Sequence, residues 1–229
     1  KSLGAGWTIA RIRSPEYTRD LAISQEQLRI DYVLNPDLST AKEISQLLSF
    51  APARQVQTFV HGKVHMVEIS VTAENPLVGI PIKQYNFTGV LIAAIVREGR
   101  IIIPKGDDCL HEGDNIFIIG QATNVADFCR YAGKPIYKIE NAMILGGSRI
   151  ANYLARDLHS AGVRVKIIEN DPARAKDLSL ELPFALVVQG DGTDMEFLVS
   201  EDIANTDAFV ALTGMDEENM VVSLLAKKL

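Results

Sequence analysis

The stretch Ala142-Met143-Ile144-Leu145-Gly146-Gly147-Ser148-Arg149-Ile150-Ala151 decides how the chain is read. Its first four residues form an apolar run that predicts a buried strand. The glycines that follow predict a tight turn. Ile150, Ala151, Leu154, Ala155, Leu158 and Ala161 then recur on one face of a helix. A second apolar run, Val165-Lys166-Ile167-Ile168, ends in Glu169. Together these residues make the G-x-G-x-x-G/A fingerprint in a strand–turn–helix–strand setting, with an acid about 20 positions on. The first glycine allows the turn, and the small third residue lets helix pack on strand. The helix N-terminal N–H groups face a phosphate, and Glu169 is placed for ribose hydroxyls. Ser148 departs from the pattern, standing where the second glycine normally lets backbone approach the pyrophosphate. A nucleotide site follows from the pattern; a standard NAD cradle does not.

Working outward, the same alternation continues. Asp171 reads as a helix cap with Pro172 at the first helical position, and Leu178 and Leu182 give that helix its buried stripe. Ala185-Leu186-Val187-Val188 is a third strand ending in Gly190-Asp191-Gly192, followed by a short helix from Met195 to Val199. Ala208-Phe209-Val210-Ala211-Leu212 is a fourth strand, and a helix begins near Glu217 and runs through Val221, Leu224 and Leu225. Continuous apolar strands separated by helices predict an α/β fold, a Rossmann-like doubly wound parallel sheet covered on both faces.

The two ends of the chain read as parts of different units. Lys1-Ser2-Leu3-Gly4 resembles a helix end with its glycine, Thr8 to Ile12 a short strand, and Leu225 to Leu229 a sequence that Lys1 onward would continue. An internal repeat cut at equivalent points is the expectation. Residues 1–50 are then the tail of a first Rossmann-like domain and 137–229 the head of a second, so that the sheet is split between the ends of a piece of a longer protein. Residues 51–136 have another texture. His65 to Val71 alternates, and Leu91–Val96, Ile101–Ile103 and Asn115–Ile119 are apolar runs joined by turns at Glu98-Gly99 and Glu112-Gly113-Asp114. With a short helix near Leu77 to Gln84 and another from Asn124 to Tyr131, they predict a small α+β domain.

Composition narrows the class. Of 229 residues, 47% are hydrophobic and 23% charged, as in an ordinary globular protein. The net charge of −6 is spread along the chain, with no basic stretch dense enough to bind nucleic acid. No apolar run has the length of a membrane-spanning helix. Cys109 and Cys129 lack metal-ligand spacing and read as reduced thiols. His61 and His65 lie in a strand-like stretch, which argues against a helical metal pair.

The order of Rossmann tail, small α+β domain and second Rossmann head resembles the TrkA family of potassium uptake regulators, which are tandems of RCK domains with TrkA-N and TrkA-C parts. Arg11-Ile12-Arg13-Ser14-Pro15-Glu16-Tyr17 is similar to the segment after the last strand of that family's first Rossmann unit. Asn75-Pro76-Leu77-Val78-Gly79, Gly99-Arg100 with Pro104, and Glu112-Gly113-Asp114 with Gly120 follow its C-terminal domain. Leu212-Thr213-Gly214-Met215-Asp216-Glu217-Glu218-Asn219 follows its fourth strand. The resemblance implies a cytoplasmic, non-enzymatic regulatory subunit at the inner face of the membrane. It implies homo-oligomers, dimers or larger rings, beneath a membrane-embedded potassium transporter or channel subunit. NAD(H) or an adenine nucleotide (ATP or ADP) would bind in the Rossmann crevice. Carried across, the phosphate turn is Gly146, Gly147, Ser148, Arg149 and Ile150, and the ribose acid is Glu169. Gly190 and Asp191 lie beside adenine, and Leu212 and Thr213 close the pocket.

Each of these residues has a plainer reading. Glu169 and Asp191 either meet ligand or cap helices, Arg149 pairs with phosphate or with solvent, and Ser148 is either a ligand contact or a helix-terminal residue of an empty repeat. Asp216-Glu217-Glu218 either complements the positive end of a helix or holds a cation, the helix end being the favoured reading. Two other functions remain beside the regulator: an NAD(P)-dependent oxidoreductase, and a structural assembly module with an empty crevice. Finally, the fourth strand is an exposed pairing template, which Thr8 to Ile12 of the same or another chain would fill, giving at least a dimer.

Overall fold

In a computed structural model, residues 4–13, 30–50, 55–60, 63–133 and 139–228 are described. The readings of Lys1-Ser2-Leu3 and of Ser14-Pro15-Glu16-Tyr17 lie outside them. The chain divides into two compact units, one of Lys1–Ser45 with Ile139–Leu229 and one of Gln46–Lys138.

The first unit carries strands β8 (Asn141–Leu145), β9 (Arg164–Glu169), β10 (Leu186–Gln189) and β11 (Ala208–Ala211), all parallel, in the order β10-β9-β8-β11. Helices α3 (Arg149–Ser160), α4 (Pro172–Glu181), α5 (Met195–Ser200) and α6 (Asp216–Ala226) alternate with them. Strand neighbours alternate sides, so β8 buries both faces. Met143 and Leu145 pack with Ile168, Leu198, Ile203 and Val222 on the α5–α6 side. Ile144 faces the other way and is equally buried, as are Leu154 and Leu158 of α3 and Leu178 of α4. The chain winds outward from β8 to β10 and then returns to β11 on the opposite side. The point between β8 and β11 is therefore the topological switch at which such sheets open a crevice.

The N-terminal residues of this unit differ from expectation. Strand β1 (Ile9–Arg11) pairs in parallel with β2 (Tyr32–Leu34), an element the sequence reading did not mark, and not with β11. Among the described residues β11 stays an edge. Helix α1 (Pro36–Ser49) follows β2, and its start is stabilised by Leu38 N donating to Asn35 Oδ1 at 3.0 Å.

The second unit is a five-stranded antiparallel sheet with order β3-β4-β7-β5-β6. Its strands are β3 (Gln55–Phe59), β4 (Val64–Ser70), β5 (Val90–Arg97), β6 (Arg100–Ile102) and β7 (Asn115–Gly120). Glu98 and Gly99 both have positive φ, as a two-residue hairpin turn requires. Helix α2 (Ala122–Tyr131) buries Val125, Phe128 and Cys129 in the core with Val67, Ile69, Ile95, Ile116 and Ile118. Burial pushes the Cys129 thiol up to about 12, and both cysteines are free. The short helix expected near Leu77 to Gln84 contracts to a single 3₁₀ turn, Ile82–Gln84. Pro76, Pro81 and Gly79, at φ +74°, break it. Among the described residues no helix is long and apolar enough to cross a membrane, and no cluster of three or more potential metal-ligating side chains occurs.

Candidate functional site

The crevice at the carboxyl ends of β8, β9 and β11 has a volume of about 340 Å³. Gly146 leaves β8 at φ +94°, with its N–H donating to Ile168 O at 2.8 Å, and an added Cβ would sit 2.8 Å from Leu212 O. Turn and fourth strand thus meet at a point only glycine allows. Gly147 is packed as tightly, since a Cβ there would lie 2.3 Å from Leu178 Cδ1 and 2.6 Å from Glu169 Oε2. Its N–H donates to Glu169 Oε2 at 2.5 Å, and its carbonyl accepts from Arg174 Nε at 2.8 Å.

Ser148 is the N-cap of α3. It has φ −65°, a value open to any residue, and its Oγ accepts from Ala151 N at 3.2 Å. The serine is thus explained by helix capping. Glu169 is more engaged than the sequence suggests, because Oε1 also accepts from Asp171 N at 2.8 Å. A carboxylate has about four lone-pair positions, so both oxygens still have room for ribose hydroxyls. Asp171 itself caps α4 through Ala173 N and Arg174 N, as read from the sequence. Asp191 Oδ1 accepts from the Thr193 hydroxyl at 2.7 Å and from its N–H at 2.9 Å, and these bonds hold the Asp191 carboxyl below its ordinary range. Thr213 is clamped by Asn219, whose Oδ1 accepts from Thr213 N at 2.9 Å, while Thr213 Oγ1 lies 3.0 Å from Glu218 Oε2.

Gly146, Gly147, Ser148, Glu169, Asp191, Leu212 and Thr213 all line the crevice. Three residues named with them do not. Ile150 is half-buried within α3, Gly190 lies under the Phe197 ring, and Arg149 turns towards Asp37, its Nε 3.4 Å from Oδ2. The sequence reading did not place Asn170, Gly192, Gly214 or Glu218 in the lining, nor Arg174 beneath the turn. Glu218 stands in the first turn of α6 and also in the crevice wall. Among the described residues the lining holds three carboxylates, Glu169, Asp191 and Glu218, and no lysine or arginine. Such a wall suits hydroxyl donors, and what it offers a phosphate is the N-terminus of α3.

A larger hollow of about 560 Å³ lies at the amino ends of the same strands. Its Lys166 is engaged by Glu201 at 3.0 Å and its Arg164 by Asn141 Oδ1 at 2.7 Å. Size alone would favour it. The glycine turn, the helix N-terminus and the strand-end acids favour the smaller crevice.

Known proteins give this arrangement a family. The TrkA-N domain matches residues 142–229 and the TrkA-C domain residues 66–133. A "Trk system potassium uptake protein TrkA homolog" of Archaeoglobus fulgidus is 36% identical over 230 residues, covering 100% of this chain and 52% of that protein. The "Trk system potassium uptake protein TrkA" of Vibrio alginolyticus is 31% identical, covering 96% and 49%. The chain therefore spans about half the length of these curated relatives. Among solved structures, the "GsuK Channel" superposes with a TM-score of 0.61 at 19% identity, over 99% of this chain and 40% of that one. The "GsuK channel bound to NAD" superposes with 0.56 at 19% identity, over 96% and 38%. At that identity the likeness speaks for the fold. With a TrkA-C domain followed by a TrkA-N domain and relatives of one name along its whole length, the chain belongs to the TrkA family.

Proposed function

We propose that the chain is part of a cytoplasmic, nucleotide-sensing regulatory subunit of a potassium uptake system. Occupancy of the crevice by NAD(H) or by ADP or ATP shifts a homo-oligomeric assembly, and that shift gates a membrane-embedded potassium transporter or channel subunit. The observation that carries the reading is the crevice itself: the Gly146 turn, the N-terminus of α3 and Glu169 converge at the switch point of a parallel sheet. The relatives' names supply the system. No oxidoreductase chemistry is assigned, because the relatives along the chain bear the names of potassium uptake proteins.

Calorimetric titration with NADH, NAD, ATP, ADP and AMP tests the binding step. Saturable binding of at least one is expected, and it should weaken when Glu169 is removed. Absence of binding by all five would leave a structural assembly module. Hydride transfer faster than about 1 s⁻¹ would restore the enzyme reading. Light scattering at about 100 μM, a concentration at which weak edge pairing is populated, should give a dimer or larger. A monomer would remove the assembly step. For the transport step, the longer protein carrying Glu169→Ala should lose nucleotide-dependent potassium uptake in cells while still reaching its partner.

A further inference from the structure

Arg149 is the first residue of α3, where the aligned peptide dipoles disfavour a cation and an anion partner is needed. That partner is Asp37 in the first turn of α1, 3.4 Å away, its side chain 16% exposed against 54% for Arg149, and Arg13 Nε also approaches the same Asp37 Oδ2, at 3.9 Å. One turn along the same face of α3, the Tyr153 hydroxyl accepts from Asn35 Nδ2 at 2.9 Å, and Asn35 in turn holds the start of α1. The beginning of α1 is therefore fastened to the helix that opens at the phosphate turn. Meanwhile, among the described residues, the crevice lining contains no lysine or arginine, and Arg149, the cation of the turn, is held outside it.

We infer that Asp37 is a specificity determinant and a latch for the crevice. It withholds Arg149 from ligand phosphates while the site is empty, and a phosphate that captures Arg149 releases the start of α1. Two anions compete for one guanidinium, while Arg13 stays beside Asp37. The competition acts against terminal phosphates and leaves a nucleoside untouched. By linkage, whatever phosphate binding costs at this pair is the amount by which α1 is loosened. The inference rests on the crevice being an adenine-nucleotide site, and it names what regulates that site and which element receives the signal.

The test compares ATP, ADP, AMP and adenosine on the whole 229-residue chain, as wild type, Asp37→Asn and Arg149→Gln, by calorimetry and by hydrogen exchange of α1. Asp37→Asn should tighten ATP and ADP about threefold to tenfold relative to adenosine, the range set by one partly exposed ion pair. Arg149→Gln should give no such gain. In wild type, ATP should speed exchange at the start of α1 and adenosine should not. In both variants exchange there should be faster than in nucleotide-free wild type, with the Asn35–Tyr153 bond still in place, and insensitive to nucleotide. If adenine ligands bind in a Glu169-dependent manner but the ATP-to-adenosine ratio and α1 exchange are the same in all three proteins, the latch is wrong and the crevice stands. If none of the four binds any protein, the crevice reading falls and the latch with it.

Discussion

Asp114 and Glu169 are both carboxylates beside strand ends, one in each unit, and they are used in opposite ways. Asp114, at the entry to β7, is fully buried and accepts from Arg97 Nε and Nη2, both at 2.8 Å, and from His111 N at 2.8 Å. Burial would raise its pKa. The bonds from Arg97 and His111 outweigh that and hold it below the ordinary 3.8. Glu169, at the exit of β9, is half-buried, accepts two backbone N–H groups and faces a crevice. A sealed and saturated acid holds a fold together; an acid with spare acceptor positions on a solvent-filled wall can also bind. The two units divide accordingly, the antiparallel sheet closing around its charge and the parallel sheet presenting its charges.

The strongest way to break this contrast is at Asp114. Asp114→Ala leaves Arg97 Nε and the His111 N–H without their acceptor, while Arg97 Nη2 keeps Cys109 O, and should cost about 3 kcal/mol, the low end for buried pairs that lose one partner. Urea unfolding of the whole chain would measure it, and a loss below about 1 kcal/mol would make the pair ornamental. The same pair sets an acid limit. Because the folded pKa lies below 3.8, its contribution is complete above that pH and is lost as pH falls through the folded value. Asp114→Asn should flatten the stability profile below pH 3.8, leaving the slopes from Asp191 and Asp207, whose carboxyls are also lowered.

Glu169→Ala sharpens the other side. Loss of charge-assisted bonds to ribose, worth roughly 1.5–3 kcal/mol, should weaken adenine-nucleotide binding about tenfold to a hundredfold. The sequence alone suggests that folding would be spared. The bonds to Gly147 N and Asp171 N overturn that, and a stability loss of about 1–2 kcal/mol is expected as well. A stability loss with unchanged affinity would place Glu169 in the same class as Asp114. The smallest effect is at the cap. Ser148→Ala should cost about 1 kcal/mol and Ser148→Gly only a few tenths. Ser148→Gly should also favour NAD(H) over ADP by about 1 kcal/mol, if a Cβ there crowds a pyrophosphate. Paired thermal melts and titrations would read both.

What could be read from the sequence followed how local the causes were. The β8-turn-α3-β9 unit was legible because apolar runs, glycines and a small helix residue lie within one stretch. So was the α4 start, since Asp171-Pro172 carries its own cap. The Leu77–Gln84 segment was misjudged because its apolar residues suggest a helix while two prolines and a positive-φ glycine forbid one. Strand β3 (Gln55–Phe59) was missed because its glutamines and threonine belong to an edge whose partner is set by β4. At the site, the turn and Glu169 were visible as motif. The pairing of Arg149 with Asp37 was not, because it depends on how α1 lies on α3. Glu218 was not seen as a crevice residue, since its place there follows from the β11–α6 turn.

The contact between Gly146 and Leu212 bears on how the family's history can be reconstructed. A side chain at Gly146 would collide with the end of β11 whether or not any nucleotide ever enters, so a descendant that had abandoned ligand would still keep this glycine. A glycine kept at this position in any relative would therefore record folding, and a survey that counted glycines in the turn would overstate how many copies remain responsive. Erosion of function should appear first at positions the fold can spare. Drift at Asp191 or Glu218 beside an intact Gly146 would mark a repeat that keeps its architecture after its signal has been lost.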